Sequence, residues 1–189
     1  MTTPEESLRR RLRGPATVVF EGFYEAHSPT WRAYALHLTA SQEAAEEITD
    51  AVTTRLWCTW HHALNLSSPE DYAWRLLRAE LDDFFRAHDI SPMFAATATF
   101  ARLSQPPALF DDLRDAFRNL EQSIGVYAAI AELPDRQFDI TVLRYVIELT
   151  DEEVAHILGC APATVRSQLR NARRKLEARL FGPKTKDEE

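Results

Sequence analysis

The sequence predicts an all-α protein of two helical bundles joined by a linker, the C-terminal bundle containing a helix-turn-helix. Three observations carry this. Apolar residues recur at helical spacing almost throughout, without strand alternation, and Ala, Leu, Glu and Arg dominate. Between residues 89 and 110 three prolines gather, and only Asp89 and Arg102 are charged up to Leu109. From 133 to 180 the chain passes from an acidic helix signal, TDEEVAHIL, through Gly159-Cys160-Ala161 into a basic helix that starts at Pro162.

The elements follow in order. Phe20, Phe23, Tyr24 and His27 mark a first helix that Ser28-Pro29 should end. Trp31, Tyr34, Ala35 and Leu38 mark a second. A third starts at Ser41, with Glu43, Glu46 and Glu47 in its first turns, where the helix dipole favours acids. Its apolar stripe is Ala45, Ile48, Val52, Leu56, Trp60 and Ala63. Ser68-Pro69-Glu70-Asp71 opens a fourth helix: a cap, a proline at the first position, then acids. Its inward residues are Tyr72, Leu76, Leu77, Leu81, Phe84 and Phe85. A helix over about 111–131, broken by Leu133-Pro134, and another over 135–147 lead into the helix-turn-helix.

In that last motif Gly159 suits the left-handed residue that ends a helix, and Pro162 suits a first turn, where its missing N–H costs nothing. Ala161 is a weak N-cap. Val165, Leu169, Ala172, Leu176 and Leu180 form one narrow stripe at about 100° per residue. Arg166, Arg170, Arg173 and Arg174 lie beside or opposite it, bordered by Ala163 and Ser167, with Thr164 near the helix start. A second helix of this kind can lie in a DNA major groove, offering guanidinium groups to phosphates and base edges.

The charge is divided in the same way. The 189-residue chain has a net charge of −7, which argues against indiscriminate coating of nucleic acid. Residues 166–180 nevertheless hold six basic residues and one acid, whereas residues 17–88 hold eleven acids and five arginines. The C-terminal part reads as the DNA-binding part and the N-terminal part as a protein-binding surface. The expected division is a flexible arm at 1–16 with a basic cluster at 9–13, a helical domain at 17–88, a linker at 89–110, a helix-turn-helix domain at 111–182 and a tail at 183–189. Met93, Phe94, Phe100 and Leu103 make the linker sticky, so it is expected to pack on a domain and to hold the two together.

Other chemistry is not signalled. Cys58, His61 and His62 share one helical turn, but a structural zinc site takes four ligands, and Cys58 between Trp57 and Trp60 reads as a small core residue. The adjacent acid pairs at 46–47, 82–83 and 111–112 point about 100° apart on a helix and do not converge. No nucleotide loop or hydrolase motif occurs, so no catalytic residue, metal or cofactor is expected. Two distant cysteines give no disulfide framework, the arginine-rich opening is followed by no apolar signal segment, and no apolar run could span a bilayer. A cytoplasmic protein is expected.

Residues 17–88 and 119–180 together resemble the extracytoplasmic-function (ECF) sigma factors of bacterial RNA polymerase. The second block carries the more specific series: Leu133-Pro134, Gln137, Arg144-Tyr145, Leu149-Thr150, Glu153, Val154-Ala155, Leu158-Gly159, Thr164-Val165-Arg166-Ser167, then Arg173 and Leu176. The resemblance implies that this domain reads the −35 promoter element through Thr164, Arg166, Ser167 and Arg170, with Arg173, Arg174 and Lys175 on phosphates. In the first block Phe20-Glu21, Phe23-Tyr24 and His27 look like the family's opening helix. Ala45-Glu46-Glu47-Ile48 through Arg55-Leu56-Trp57 looks like the helix that docks on core polymerase, which implies contacts by Glu46, Glu47, Asp50, Arg55 and Trp57. Asp50-Ala51 stands where the family has Gln followed by an acid.

In the next helix Tyr72, Arg78, Asp83 and Arg86 match the pattern that engages the −10 element, which gives Arg78, Asp83 and Arg86 as its contacts. Ala79 replaces an Asn, Asp82 adds an acid, and no basic run follows Arg86. The resemblance implies an initiation factor whose partners are core RNA polymerase, promoter DNA and an anti-sigma factor. The departures favour an alternative, a sigma-like DNA-binding regulator or protein-interaction module that no longer melts promoters.

Overall fold

The structure, a computed structural model, describes residues 14–90 and 128–181. The arm at 9–13, the linker residues 93–103, the start of the helix expected from 111, the 183–189 tail and the Leu180 side chain lie outside the described residues. The fold is all-α. Four helices, α1 (Pro15–Thr39), α2 (Gln42–Cys58), α3 (Trp60–Leu64) and α4 (Pro69–Ala87), pack together as an N-terminal bundle. A helical segment at 128–131 precedes α5 (Asp135–Tyr145), α6 (Asp151–Ile157) and α7 (Pro162–Phe181), which pack as a second unit.

Helix α1 corrects the sequence reading, which ended one helix near Ser28-Pro29 and began another. The helix runs straight through Pro29. An internal proline removes one hydrogen bond and costs about 3 kcal/mol. Against this, Phe20, His27, Trp31, Tyr34, Ala35 and Leu38 are all buried along one continuous stripe. Fully burying one large apolar side chain returns roughly 1.5–3 kcal/mol. Trp31, Tyr34 and Leu38 together outweigh the proline.

Ser68 forms the expected cap, and Ser41 caps the helix that starts after it. Ser41 Oγ accepts the Ala44 N–H at 3.2 Å, and Ser68 Oγ accepts the Asp71 N–H at 3.0 Å. The whole α2 stripe is buried, although the helix breaks at Thr59 before Trp60 and Ala63 continue the stripe on α3. Cys58 is another correction: it is exposed. The helix turns Cys58 outward with Trp57, while Leu56 and Trp60 take the core positions on either side.

Helix α5 sits in the middle of the molecule. Its residues 137–143 are consecutively buried, as happens when a helix is covered on all sides. One side packs against α7 and α6, and the other faces the N-terminal bundle. The buried apolar residues of both groups of helices form one continuous cluster. No described helix is long and apolar enough to cross a membrane.

Candidate nucleic-acid interface

The helix-turn-helix is built from local interactions that the sequence specifies. Thr150 and Glu153 close a capping box at the start of α6: the Thr150 hydroxyl accepts the Glu153 N–H at 3.2 Å, and the Thr150 N–H donates to Glu153 Oε2 at 2.8 Å. The Thr150 hydroxyl also donates to Glu153 Oε2 at 2.8 Å, and the two Thr150 donors, the backbone N–H first, hold the Glu153 carboxyl below its ordinary pKa. The other end of α6 is a Schellman turn. Gly159 is left-handed, at φ +61°, while the Cys160 N–H donates to Ala155 O at 2.9 Å and the Gly159 N–H to His156 O at 3.3 Å. Helix α7 then starts at Pro162, with the Thr164 N–H donating to Ala161 O at 2.8 Å.

Val165, Leu169, Ala172 and Leu176 are buried, and this stripe fixes which way the rest of α7 faces. At about 100° per residue, Arg166, Arg170, Arg173 and Arg174 share an arc of about 100° on one flank, with Ser167 at its edge. Ser167, Arg170, Asn171, Arg173, Arg174 and Glu177 line a shallow open groove. Thr164 and Lys175, both exposed, fall on the opposite flank. The structure therefore brings together five of the seven residues expected to meet DNA and sets two apart.

The arginines differ in how free they are. Arg173 donates to Glu177 Oε1 at 2.9 Å, and Arg166 lies 3.9 Å from both Asp151 and Glu152. Arg174 donates to the Asn171 side-chain oxygen. Among the described residues, Arg170, Arg174 and Lys175 meet no carboxylate. Exposed guanidinium groups without a carboxylate can exchange water for phosphate or a base edge at least cost.

The residues expected to meet polymerase all lie on the solvent side of α2. Glu46, Glu47, Asp50, Arg55 and Trp57 are exposed. Arg55 is tied to Glu80 of α4 at 2.5 Å, and this hydrogen bond holds its pKa above the ordinary value. Trp57 keeps 46% of its surface exposed while its ring meets Phe20 edge-on at 4.9 Å.

The three residues expected at the −10 element are not presented alike. Asp83 and Arg86 are exposed but paired with each other at 2.6 Å. Arg78 is turned inward: its guanidinium lies 3.2 Å from Asp139 and 3.4 Å from Asp135, and it donates to the Tyr34 hydroxyl oxygen at 3.2 Å. Burial works against its charge, but Tyr34 and Asp139 more than compensate and hold its pKa above the ordinary value.

Asp139 is the residue that the sequence reading missed. It is 2% exposed, and Tyr34 O–H and Trp74 Nε1–H also donate to it, at 2.5 Å and 2.8 Å. Burial pushes its carboxyl up, while Arg78, Tyr34 and Trp74 oppose the shift. A lone charged residue in the run Phe138 to Leu143, where only Thr141 is otherwise polar, was the available signal. A second missed pair is His27, buried on α1, whose ring stacks at 5.0 Å on His156 of α6. Burial and then His156 lower the His27 pKa to about 4, against a smaller opposite pull from Glu70. His61 and His62 are exposed, and among the described residues no cluster of three or more His, Cys, Asp or Glu is placed to hold a metal ion.

Residues 124–176 match the family described as Sigma-70, region 4. This part of the chain is a sigma-70 region 4 domain. The match covers 53 of the 189 residues, from 124 to 176, and so includes α5, α6 and most of α7. Region 4 gives the chain a sigma-factor-like DNA-binding role, with the helix-turn-helix as the element that carries it. The match ends short of the N-terminal bundle on one side and leaves the last residues of α7 on the other. No curated protein resembles the chain closely enough to count as a relative.

Proposed function

We propose that the protein is a transcription initiation factor of the sigma type, which binds core RNA polymerase and directs it to promoters through the α7 face. The carrying observation is that Arg170 and Arg174, on the second helix of a region 4 helix-turn-helix, are exposed and meet no carboxylate among the described residues. On this reading Arg166, Ser167 and Arg170 meet base edges, and Arg173 and Arg174 meet phosphates of the −35 element. Thr164 and Lys175, on the opposite flank, meet the far wall of the groove. Residues 17–88 form the polymerase-binding domain, residues 111–182 the promoter-reading domain, and residues 89–110 join them. The protein supplies promoter choice in the cytoplasm, and the chemistry of RNA synthesis belongs to the polymerase.

Glu46, Glu47, Asp50 and Arg55, with Trp57 at the end of the same helix, are the proposed docking surface. An exposed tryptophan beside charged residues is the composition from which interface anchors are drawn. The direct test is binding of purified protein to core polymerase without DNA. Saturable binding that falls when Arg55 or Glu47 is changed supports the reading. No binding at micromolar concentration by folded protein overturns it.

A second reading is favoured by one observation. On α4, Arg78 is engaged by Asp139, and Asp82 and Asp83 are exposed. Such a surface repels phosphate, which favours a region 4 DNA-binding regulator that does not melt promoters. Permanganate reactivity of unpaired thymines near the start site separates the two: an initiation factor produces it with polymerase, and the regulator does not.

A further inference from the structure

Asp139 belongs to the C-terminal unit, yet the side chains that satisfy it all belong to the N-terminal bundle. Tyr34 comes from α1, and Trp74 and Arg78 come from α4. Around this buried centre, Arg136 reaches Asp71 at 3.5 Å while also donating to Leu158 O at 2.9 Å, and Asp135 lies 3.4 Å from Arg78. The turn of the helix-turn-helix makes a second contact. A Cβ built on Gly159 would stand 1.8 Å from Ser68 Oγ and 3.1 Å from both the Asp71 N and the Glu70 Cβ, so the turn lies directly on the first turn of α4. The His27–His156 stack is a third.

We propose that this contact is an intramolecular latch: region 4 itself occupies the Tyr34–Trp74–Arg78 face of the N-terminal bundle, and the chain must open before that face can meet a partner. The physics favours two discrete states. A buried carboxylate is tolerated only with its donors in place, so the centre is either fully made or fully exchanged for water. Hydrogen bonds exchanged with water contribute little net stability, so a partner that competes for a few of these groups can tip the balance.

The latch is one-sided. It covers Arg78 of α4, while Arg166, Arg170 and Arg174 of α7 remain exposed in the closed state. Region 4 can therefore meet DNA before the chain opens, and the N-terminal bundle can offer Arg78 only afterwards. That Arg78 meets promoter DNA once uncovered rests on the initiation-factor reading and on its expected place at the −10 element. The latch itself rests on the contacts between the two units, those of Asp139 and Gly159 first.

The test is small-angle scattering of the full chain, with neither polymerase nor DNA, so that its outcome is independent of whether the protein initiates transcription. Two variants attack different parts of the contact. Asp139→Ala removes the buried acceptor. Gly159→Asn keeps a residue that tolerates the left-handed turn but drives its Cβ into Ser68. Wild-type protein is expected to be compact, with a radius of gyration of roughly 16 Å for a single globule of this length. Both variants should expand by about a quarter, toward two jointed bodies, with helical content unchanged.

An extended wild-type chain overturns the proposal, as do folded variants that both remain as compact as the wild type. If Asp139→Ala does not fold, Gly159→Asn decides alone, expansion supporting the latch and unchanged compactness overturning it.

Discussion

Helix α4 pairs each of its three arginines with a carboxylate, whereas α7 pairs Arg166, Arg173 and Arg179 and leaves Arg170 and Arg174 without one among the described residues. On α4, Arg75 pairs with Asp71, Arg86 with Asp83, and Arg78 with Asp139 and Asp135. On α7, Arg170, Arg174 and Lys175 meet no carboxylate among the described residues. A phosphate approaching α4 must displace an acid already in place, whereas one approaching Arg170 displaces only water. Counting arginines along a sequence does not separate these cases. The neighbouring acids do, and in the case of Arg78 the decisive acid is 61 residues away in the chain.

The largest expected effect comes from breaking the α4 side. Asp139→Ala leaves the Arg78 charge and two buried donors without their acceptor, and removing one partner of a buried pair costs about 3 kcal/mol or more. Chemical denaturation should show this as a lower midpoint. On the α7 side, Arg170→Ala should lose about 1–3 kcal/mol of discrimination between selected and random DNA while stability stays unchanged. Equal loss on both DNAs would make Arg170 a phosphate contact.

Acid should weaken the contact between the two units through His27. Folding holds its pKa at about 4, below the ordinary 6.5, so its contribution is fully present above pH 6.5 and is lost as pH falls toward 4. Between pH 6.5 and 5.5 the loss is on the order of 1 kcal/mol. His27 faces Glu70 of α4 and His156 of α6, so replacing His27 with Gln should flatten this part of a stability–pH profile measured by thermal melts. The smallest effect sharpens the comparison within α7. Lys175→Ala, on the opposite flank, should weaken binding to all sequences alike and reduce the salt slope by about 1.

Much of this was legible in the sequence because it is local. The Ser41 and Ser68 caps, the Thr150–Glu153 box, the Gly159 turn and the α7 stripe each depend on residues within one or two helical turns. What escaped depends on distant partners. Pro29 reads as a helix end until the buried stripe from Phe20 to Leu38 is seen to hold both halves on one axis. Arg78 reads as a free cation, and Tyr34 and Trp74 as ordinary core residues, until Asp139 arrives from the other unit. Region 4 was carried by a motif series with fixed spacing and is matched as such. The N-terminal bundle offered a looser pattern, and its role rests on exposed α2 residues.

The most direct measurement is transcription by core polymerase on a library of random upstream sequences, with and without the purified protein, with start sites and templates read by sequencing. The account predicts new start sites that share an upstream motif and disappear with Arg170→Ala. Start sites no different from those of core polymerase alone, or a motif unchanged by Arg170→Ala, would contradict it.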